Sequence, residues 1–283
     1  MKTLPSETAG SSPPPPTLPA PPPWHSRFSA LHVTAFAFLV ACIWAGTSIE
    51  GPGRTLDHWA NIRRFFGYFF PPDFSESAAI LRALVETAQM AVLATAVAAL
   101  VALPLGAIGA RTLVRPWVAF VARQVLNAVR TVPSLVWALI AVAIFGPNPL
   151  AGVYALTAYS LGYLGKFFAD AFESVDVEVA RGLRVTGASR LQTFQYGVWP
   201  VARPLVWSYI LWMLEYNLRS AAIIGYVGAG GLGVQLAVYQ EYYEWEKFAA
   251  VLVYIFVLVV VLDSTGEWLR RRVTKRLARP VGA

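Results

Sequence analysis

An all-α polytopic membrane protein of about six spans is the fold class this sequence predicts, and three observations carry that expectation. The 283 residues are 57% hydrophobic and 14% charged, well below the roughly 25% charged residues of soluble domains. Several apolar runs approach the ~20 residues a helix needs to cross a bilayer. The net charge of +7 is concentrated beside some of those runs and not others, as in membrane helices with positive cytoplasmic flanks. In a soluble protein such an excess would point to nucleic acid. Here it points to membrane lipid, and no nucleic-acid partner is expected.

The elements follow in order. Residues 1–28 contain "SSPPPPTLPAPPP", a proline density that excludes helix and sheet. A disordered tail is expected there, either solvated or docked to a partner. The run at 31–49 is read as a retained first span. It is long for the core of a signal peptide, and its proline-rich leader is unlike a basic n-region. A second span is expected at 80–110, with Pro104 near its end. The amphipathic "PWVAFVARQVLNAVRTVPSL" leads into a third span ending near Phe145, and "GPNP" at 146–149 marks a tight turn. The fourth, fifth and sixth spans are expected at 150–168, 201–224 and 248–265. A basic tail, 269–283, closes a membrane domain of 29–268 that includes the loop 174–200.

Lysine and arginine placement sets the orientation. With both termini cytoplasmic, the inside segments hold seventeen of these residues and the outside segments only four: Arg54, Arg63, Arg64 and Lys247. The loop "EVARGLRVTGASRLQTFQYGVWP", 178–200, is then cytoplasmic. Val179, Leu183 and Val185 share one side of a short helix, with Arg181 and Arg184 on another. Gly187 can take the left-handed conformation that ends a helix. Ser189 and Gln192 match a capping box. Proline disfavours helix in the residue before it, so a joint is expected at Trp199-Pro200. The result is a stiff, bent projection, which is either an interfacial hairpin or a docking element.

The spacing of this loop resembles the EAA motif of permease subunits of ATP-binding-cassette importers. That pattern is Glu-Ala-Ala, a glycine nine residues after the glutamate, and a proline thirteen beyond. Glu178, Ala180, Gly187 and Pro200 match it; Val179 replaces the first alanine, and Gly197 and Trp199 replace apolar residues before the proline. "NLRSAAIIGYVGAGGLGVQL" at 217–236 closely resembles the end of the fifth span in phosphonate importer permeases, with the glycine-rich part shared by methionine-type permeases. "AVRTVPSLVWAL" at 128–139 resembles the segment before their third span. The resemblance covers roughly 77–265.

It implies a type I importer permease fold in a bacterial plasma membrane, a homodimer, two ATPase subunits that bind ATP and magnesium, and an extracytoplasmic phosphonate-binding protein. It implies a coupling helix seated on the ATPase, with Glu178, Ala180, Arg181, Gly182, Arg184, Gly187, Ala188, Ser189 and Pro200 as its residues. Methionine, phosphate and phosphite are the alternative solutes, and a secondary transporter is the alternative class.

Several motifs bear on the passage itself. "GAGGLG" at 228–233 fits a dinucleotide pattern, but such a site must follow a strand, and this one follows a membrane helix. Gly228, Gly230, Gly231 and Gly233 instead permit non-helical backbone, tolerated at membrane depth where protein buries it or water reaches it. The turn is a pathway wall or a packing element. Glu215, Asn217 and Arg219 lie inside the fifth span, where charge is costly and faces the bundle interior. Glu215 and Arg219 are four apart and can pair. Arg219 and Asn217 are pathway candidates, as are Arg130 and Pro133, with a cytoplasmic anchor the alternative for Arg130. No Gly-x-x-x-x-Gly-Lys-Ser/Thr occurs, so no P-loop nucleotide site is expected in this chain. His25, His32 and His58 form no zinc pattern, and Cys42 alone excludes internal disulfides. No metal and no cofactor are expected.

Overall fold

A computed structural model of the chain describes residues 30–48 and 57–277. The proline-rich tail, Lys2, His25, Arg27, Arg54 and Arg279 lie outside the described residues. The chain divides into two units, 1–58 and 59–283. The first holds helix α1, Ala30–Ser48. The second holds α2 (His58–Gly67, begun at the boundary), α3 (Ser77–Gly109), α4 (Pro116–Thr131), α5 (Ser134–Phe145), α6 (Pro149–Glu173), α7 (Val177–Val185), α8 (Arg190–Thr193), α9 (Trp199–Ile224), α10 (Leu232–Glu241) and α11 (Trp245–Leu277). Every element assigned among the described residues is helical.

Helix α6 is the hub of the second unit. Asn148 caps it, accepting from the Ala151 amide at 3.0 Å, and Pro149 opens its first turn, as "GPNP" predicts. One side packs on α3 through small residues: Ala94, Ala98 and Ala102 on α3 share cores with Ala155, Leu164 and Phe168 on α6. Close approach between apolar helices supplies the van der Waals contact that substitutes for a hydrophobic driving force in lipid. A Cβ on Gly106 would sit 2.6 Å from Phe168. Helix α4 runs antiparallel along α6, with Arg123 beside Asp170 and Glu173, Leu126 over Gly165 and Arg130 over Gly162. Helix α5 then turns away by 82° at Val132-Pro133, where proline ends the α4 ladder.

About six spans are expected, and length and apolarity alone mark two to four of them among the described residues. Ser77–Gly109 and Trp245–Trp268 are each long and apolar enough to cross a membrane. The bent pairs Pro116–Thr131 with Ser134–Phe145 (82°) and Arg190–Val227 with Leu232–Glu241 (41°) qualify if each is one span, giving two to four among the described residues. The apolar stretch of α1, His32–Thr47, is shorter. The length of α6 is sufficient, but Ser160, Lys166, Asp170 and its glycines lower its apolarity. That polarity is tolerated because half the helix is buried in protein instead of facing lipid.

Two corrections concern the fifth span. No joint forms at Trp199-Pro200. The chain runs from α8 through a π-helical turn, Phe194–Val198, into α9, and the Trp199 amide bonds to the Phe194 carbonyl five residues back. Pro200 lies in the first turn of α9, where its missing N–H is not needed. Beyond α9, a short 3₁₀ turn and the glycine stretch lead to α10, which the apolar pattern did not announce. Helix α11 continues through the basic residues to Leu277.

Candidate functional site

The loop 174–200 is built as its sequence dictates. Asp176 caps α7 by accepting from the Glu178 amide at 2.9 Å. Gly187 turns the chain at φ +86°. Ser189 and Gln192 form the reciprocal capping box, with the Ser189 amide donating to Gln192 Oε1 at 2.8 Å and the Gln192 amide to Ser189 Oγ at 3.3 Å. Val179 and Leu183 rest against Gly197, where a Cβ would lie 2.7 Å from Leu183. Glycine at 197, a departure from the motif, is what lets α7 seat on the π turn. Glu178 and Arg181 pair at 2.6 Å, both about 70% exposed. No residue of α7 is buried. Val185, Leu191 and Tyr196 are exposed by 87%, 64% and 72%, so an apolar surface stands on this polar loop. Ala180, Gly182, Arg184 and Ala188 complete the same projection.

A charge cluster fixes the ground beneath it. Arg123 reaches Asp170 at 3.1 Å and Glu173 at 2.9 Å, and its Nε donates to the Gly109 carbonyl at 2.7 Å. Glu173 also accepts from the Arg111 amide at 2.6 Å. The end of α3, the middle of α4 and the end of α6 are thereby tied together, three residues before the cap of α7. Sequence reading counted Arg123 only among cytoplasmic cations. The signal that could have found it was a partly buried carboxylate pair, Asp170 and Glu173, at i and i+3 on the end of a span.

The pathway candidates separate. Asn217 is fully buried: its Nδ2 donates to Thr95 Oγ1 at 2.9 Å and Ser160 Oγ at 2.8 Å. It joins α3, α6 and α9, and a solute cannot reach it without parting them, so the structure places Asn217 in helix packing. Arg219 is 45% exposed and faces Glu215 at 3.5 Å and Asp263 of α11 at 3.9 Å. Arg130 lies over the Tyr163 ring, 5.1 Å from its centre, and Pro133 sits in the break one turn on. Of the glycines, Gly230, Gly231 and Gly233 are buried and Gly228 partly so. The Gly231 amide donates to Glu86 Oε1 at 3.0 Å and the Leu232 amide to Thr87 Oγ1 at 2.9 Å. Glu86 and Thr87 of α3 thus cap α10, a pairing across 145 residues that sequence reading missed.

At the end of the bundle away from the loop, Glu76 accepts from Lys247 Nζ at 2.7 Å and from the Tyr239 hydroxyl at 2.7 Å. These bonds, that of Lys247 foremost, hold the Glu76 carboxyl below its usual range, and the Ser75 amide does the same for Asp73. Beside them Phe65 of α2 meets the ring of Trp245 at 5.2 Å. No cluster of metal-ligating side chains occurs among the described residues.

The matches to known proteins place this bundle, with its exposed and capped loop, among the permease subunits of ABC importers. The chain belongs to the family of binding-protein-dependent transport system inner membrane components, whose pattern matches residues 102–275. It is 33% identical over 249 residues to the phosphite transport system permease protein PtxC of Stutzerimonas stutzeri, covering 88% of this chain and 90% of that one. It is 37% identical over 207 residues to the putative phosphite transport system permease protein HtxC of the same organism, 73% of each chain. The phosphate-import permease protein PhnE of Mycolicibacterium smegmatis is 32% identical over 209 residues, 73% of this chain and 39% of the relative. In fold it resembles a chain of the inward-facing MetNI methionine ABC transporter, at TM-score 0.59 and 23% identity over 69% of this chain and 95% of the other.

Proposed function

We propose that this chain forms the membrane passage of an ATP-driven importer for phosphorus oxyanions, phosphonate or phosphite, and that it works as a homodimer. Two partner ATPase subunits bind and hydrolyse ATP, and an extracytoplasmic binding protein delivers the solute. Both termini lie in the cytoplasm. The observation that carries the reading is the loop 174–200, whose exposed Val185, Leu191 and Tyr196 stand on a rigidly capped α7–α8 pair. Such a patch on a polar loop marks a protein interface. The solute follows from the phosphite and phosphate permeases that the chain resembles over most of its length. The likeness to methionine and amino acid transporters supports the fold alone. Closure of the ATPases draws the two coupling helices together and tilts the spans, a rigid-body switch of access from outside to inside.

The test is reconstitution with the ATPase and the binding protein in proteoliposomes. Glu178→Lys and Gly187→Pro should each abolish binding-protein-stimulated ATP hydrolysis and the uptake of labelled phosphite, with the permease still inserted and folded. An impermeant thiol reagent added outside should label a cysteine at Glu244 and miss one at Arg190. Full stimulation in both loop variants, or outside labelling at Arg190, contradicts the assignment.

A further inference from the structure

A band of aromatic side chains runs up the side of α6 opposite α3. Tyr159, Tyr163 and Phe167 recur every four residues, the spacing that keeps them on one helical face. They meet Tyr209, Trp212 and Tyr216 of α9. Tyr159 stacks on Tyr216 at 5.2 Å, Phe167 on Tyr209 at 4.8 Å, and Trp212 on Tyr216 at 5.9 Å. The band covers about 12 Å of depth at the helical rise of 1.5 Å per residue. Arg130 of α4 lies against its middle, over Tyr163. Arg219 follows Trp212 and Tyr216 at i+7 and i+3, so it extends the same face of α9.

This surface is unlike the exposed apolar surfaces of the same chain. There α3 exposes Val92, Val97 and Leu100, and α11 exposes Val253, Phe256 and Val260, apolar side chains with no polar group. The α6–α9 face instead carries four phenols, an indole and two guanidiniums, and apart from the buried Tyr159 it is only part-covered in the single chain. Charged groups within membrane helices face protein or water, not lipid. Phenol and indole groups are hydrogen-bond donors, and the arginines supply positive charge with a fork that fits tetrahedral oxyanions. Carboxylates bound the band at both edges: Asp170, at i+3 from Phe167 and paired with Arg123, acts on Tyr209 at the lower edge, and Glu215 and Asp263 meet Arg219 at the upper edge.

We propose that this band is the solute-contacting wall of the passage, and that it takes a small tetrahedral oxyanion along donors set between Arg130 and Arg219. The proposal rests on the passage reading above. Tyr163 and Tyr216 are the central contacts, and the anion is passed between the two arginines.

Cysteine accessibility in the reconstituted complex tests it. The background is Cys42→Ala, which removes the chain's one native thiol. The probes are a sulfonate-bearing thiosulfonate, itself a tetrahedral oxyanion, and its trimethylammonium counterpart. Tyr163→Cys and Tyr216→Cys should react with the sulfonate about tenfold faster than with the cation, since a charged cleft focuses counter-ions. Arg130→Gln should erase that preference at position 163. Val97→Cys, on the exposed apolar face of α3, should stay unlabelled. Should Tyr163→Cys fail to assemble, Trp212→Cys reports on the same face. No labelling at any of these positions in any nucleotide state, or spontaneous disulfides between the two copies, would overturn the wall and make this face a subunit seam. Equal rates with the two probes would overturn its anion character. Phosphite supplied with the binding protein should slow the reaction. Anion-selective labelling that phosphite leaves unslowed upholds the wall and removes phosphite as the solute.

Discussion

Glycine does opposite work at the two ends of this permease. At the loop 174–200, Gly187 turns the chain at φ +86° with nothing within 4 Å of where a Cβ would stand. At the other end, Gly231 turns at φ +71° and a Cβ would meet Thr87 Oγ1 at 2.5 Å. One glycine bends a projection toward open space; the other lets two segments of the same chain close on each other. The loop is thus shaped for something outside the chain, while the glycine-rich turn is committed to contacts within it. The residue type is the same, and only its surroundings tell a docking element from a packing element.

Alanine separates the two most sharply. Gly187→Ala should cost only the left-handed backbone strain, about 1–2 kcal/mol, and leave a folded permease. Gly231→Ala adds a collision with Thr87 and breaks the cap that Thr87 and Glu86 give to α10. It should fail to yield a monodisperse permease in detergent. Size-exclusion profiles of the two variants decide. Similar profiles would mean that the turn at 228–233 has room the structure does not show, and would return it to the passage.

What the sequence made legible follows the same division. The capping box of Ser189 and Gln192, the Gly187 corner and the Asn148 turn depend on residues three or four apart, and local chemistry settles each of them. Asn217 read as a passage residue because a polar group in a span is costly. Its partners Thr95 and Ser160 lie 122 and 57 residues away, and no local pattern joins them. The cap that Glu86 gives to Gly231 was hidden for the same reason. At Trp199-Pro200 the local rule pointed to a break. Tertiary seating of Val179 and Leu183 on Gly197 holds the segment helical instead, and a π turn absorbs the misfit.

Beneath the loop, Arg123 offers the next largest effect. Removing one partner of a buried ion pair costs 3–5 kcal/mol. Here Asp170 is 44% exposed and Arg123 16%, so about 1–3 kcal/mol is expected from the same principle after solvent screening. Arg123→Gln should lower the melting temperature of the complex and reduce the ratio of stimulated to basal ATP hydrolysis, because α4 no longer follows α6. Arg123→Lys should restore part of the stability but less of the ratio, since lysine cannot reach two carboxylates and the Gly109 carbonyl with one fork. If the glutamine variant keeps both quantities, the loop moves independently of α4.

Between the two ends, Arg219 tests where packing stops and passage begins. If Arg219 only neutralises Glu215, replacing both by glutamine should return uptake of labelled phosphite to the parental rate. The exposed face it shares with Trp212 and Tyr216 predicts otherwise: the double variant should remain about tenfold slow, the loss of one focused charge. Recovery in the double variant would assign Arg219, with Asn217, to helix packing.

The smallest effect is expected at the end away from the loop, where Glu76 ties the start of α3 to Tyr239 and Lys247. Its carboxyl titrates below the usual glutamate range, because Lys247 and then Tyr239 donate to the ionised form. A depressed carboxylate adds stability that is complete above its ordinary value and fades as the pH falls through that value toward the folded one. Acidification from neutral through about pH 4, the ordinary glutamate range, should therefore lower the melting temperature of the parent more than that of Glu76→Gln, which has no proton to take up at this site. Asp73, also depressed, is present in both proteins and cancels in the difference. The gap between the two curves should be small, because the ion pair stands at the surface, where such pairs contribute little. It should also narrow at high salt. Parallel curves would show that Glu76 is held by its neighbours without holding them, leaving the buried cap on α10 and the apolar core of Ile80, Leu232 and Val251 to tie that end.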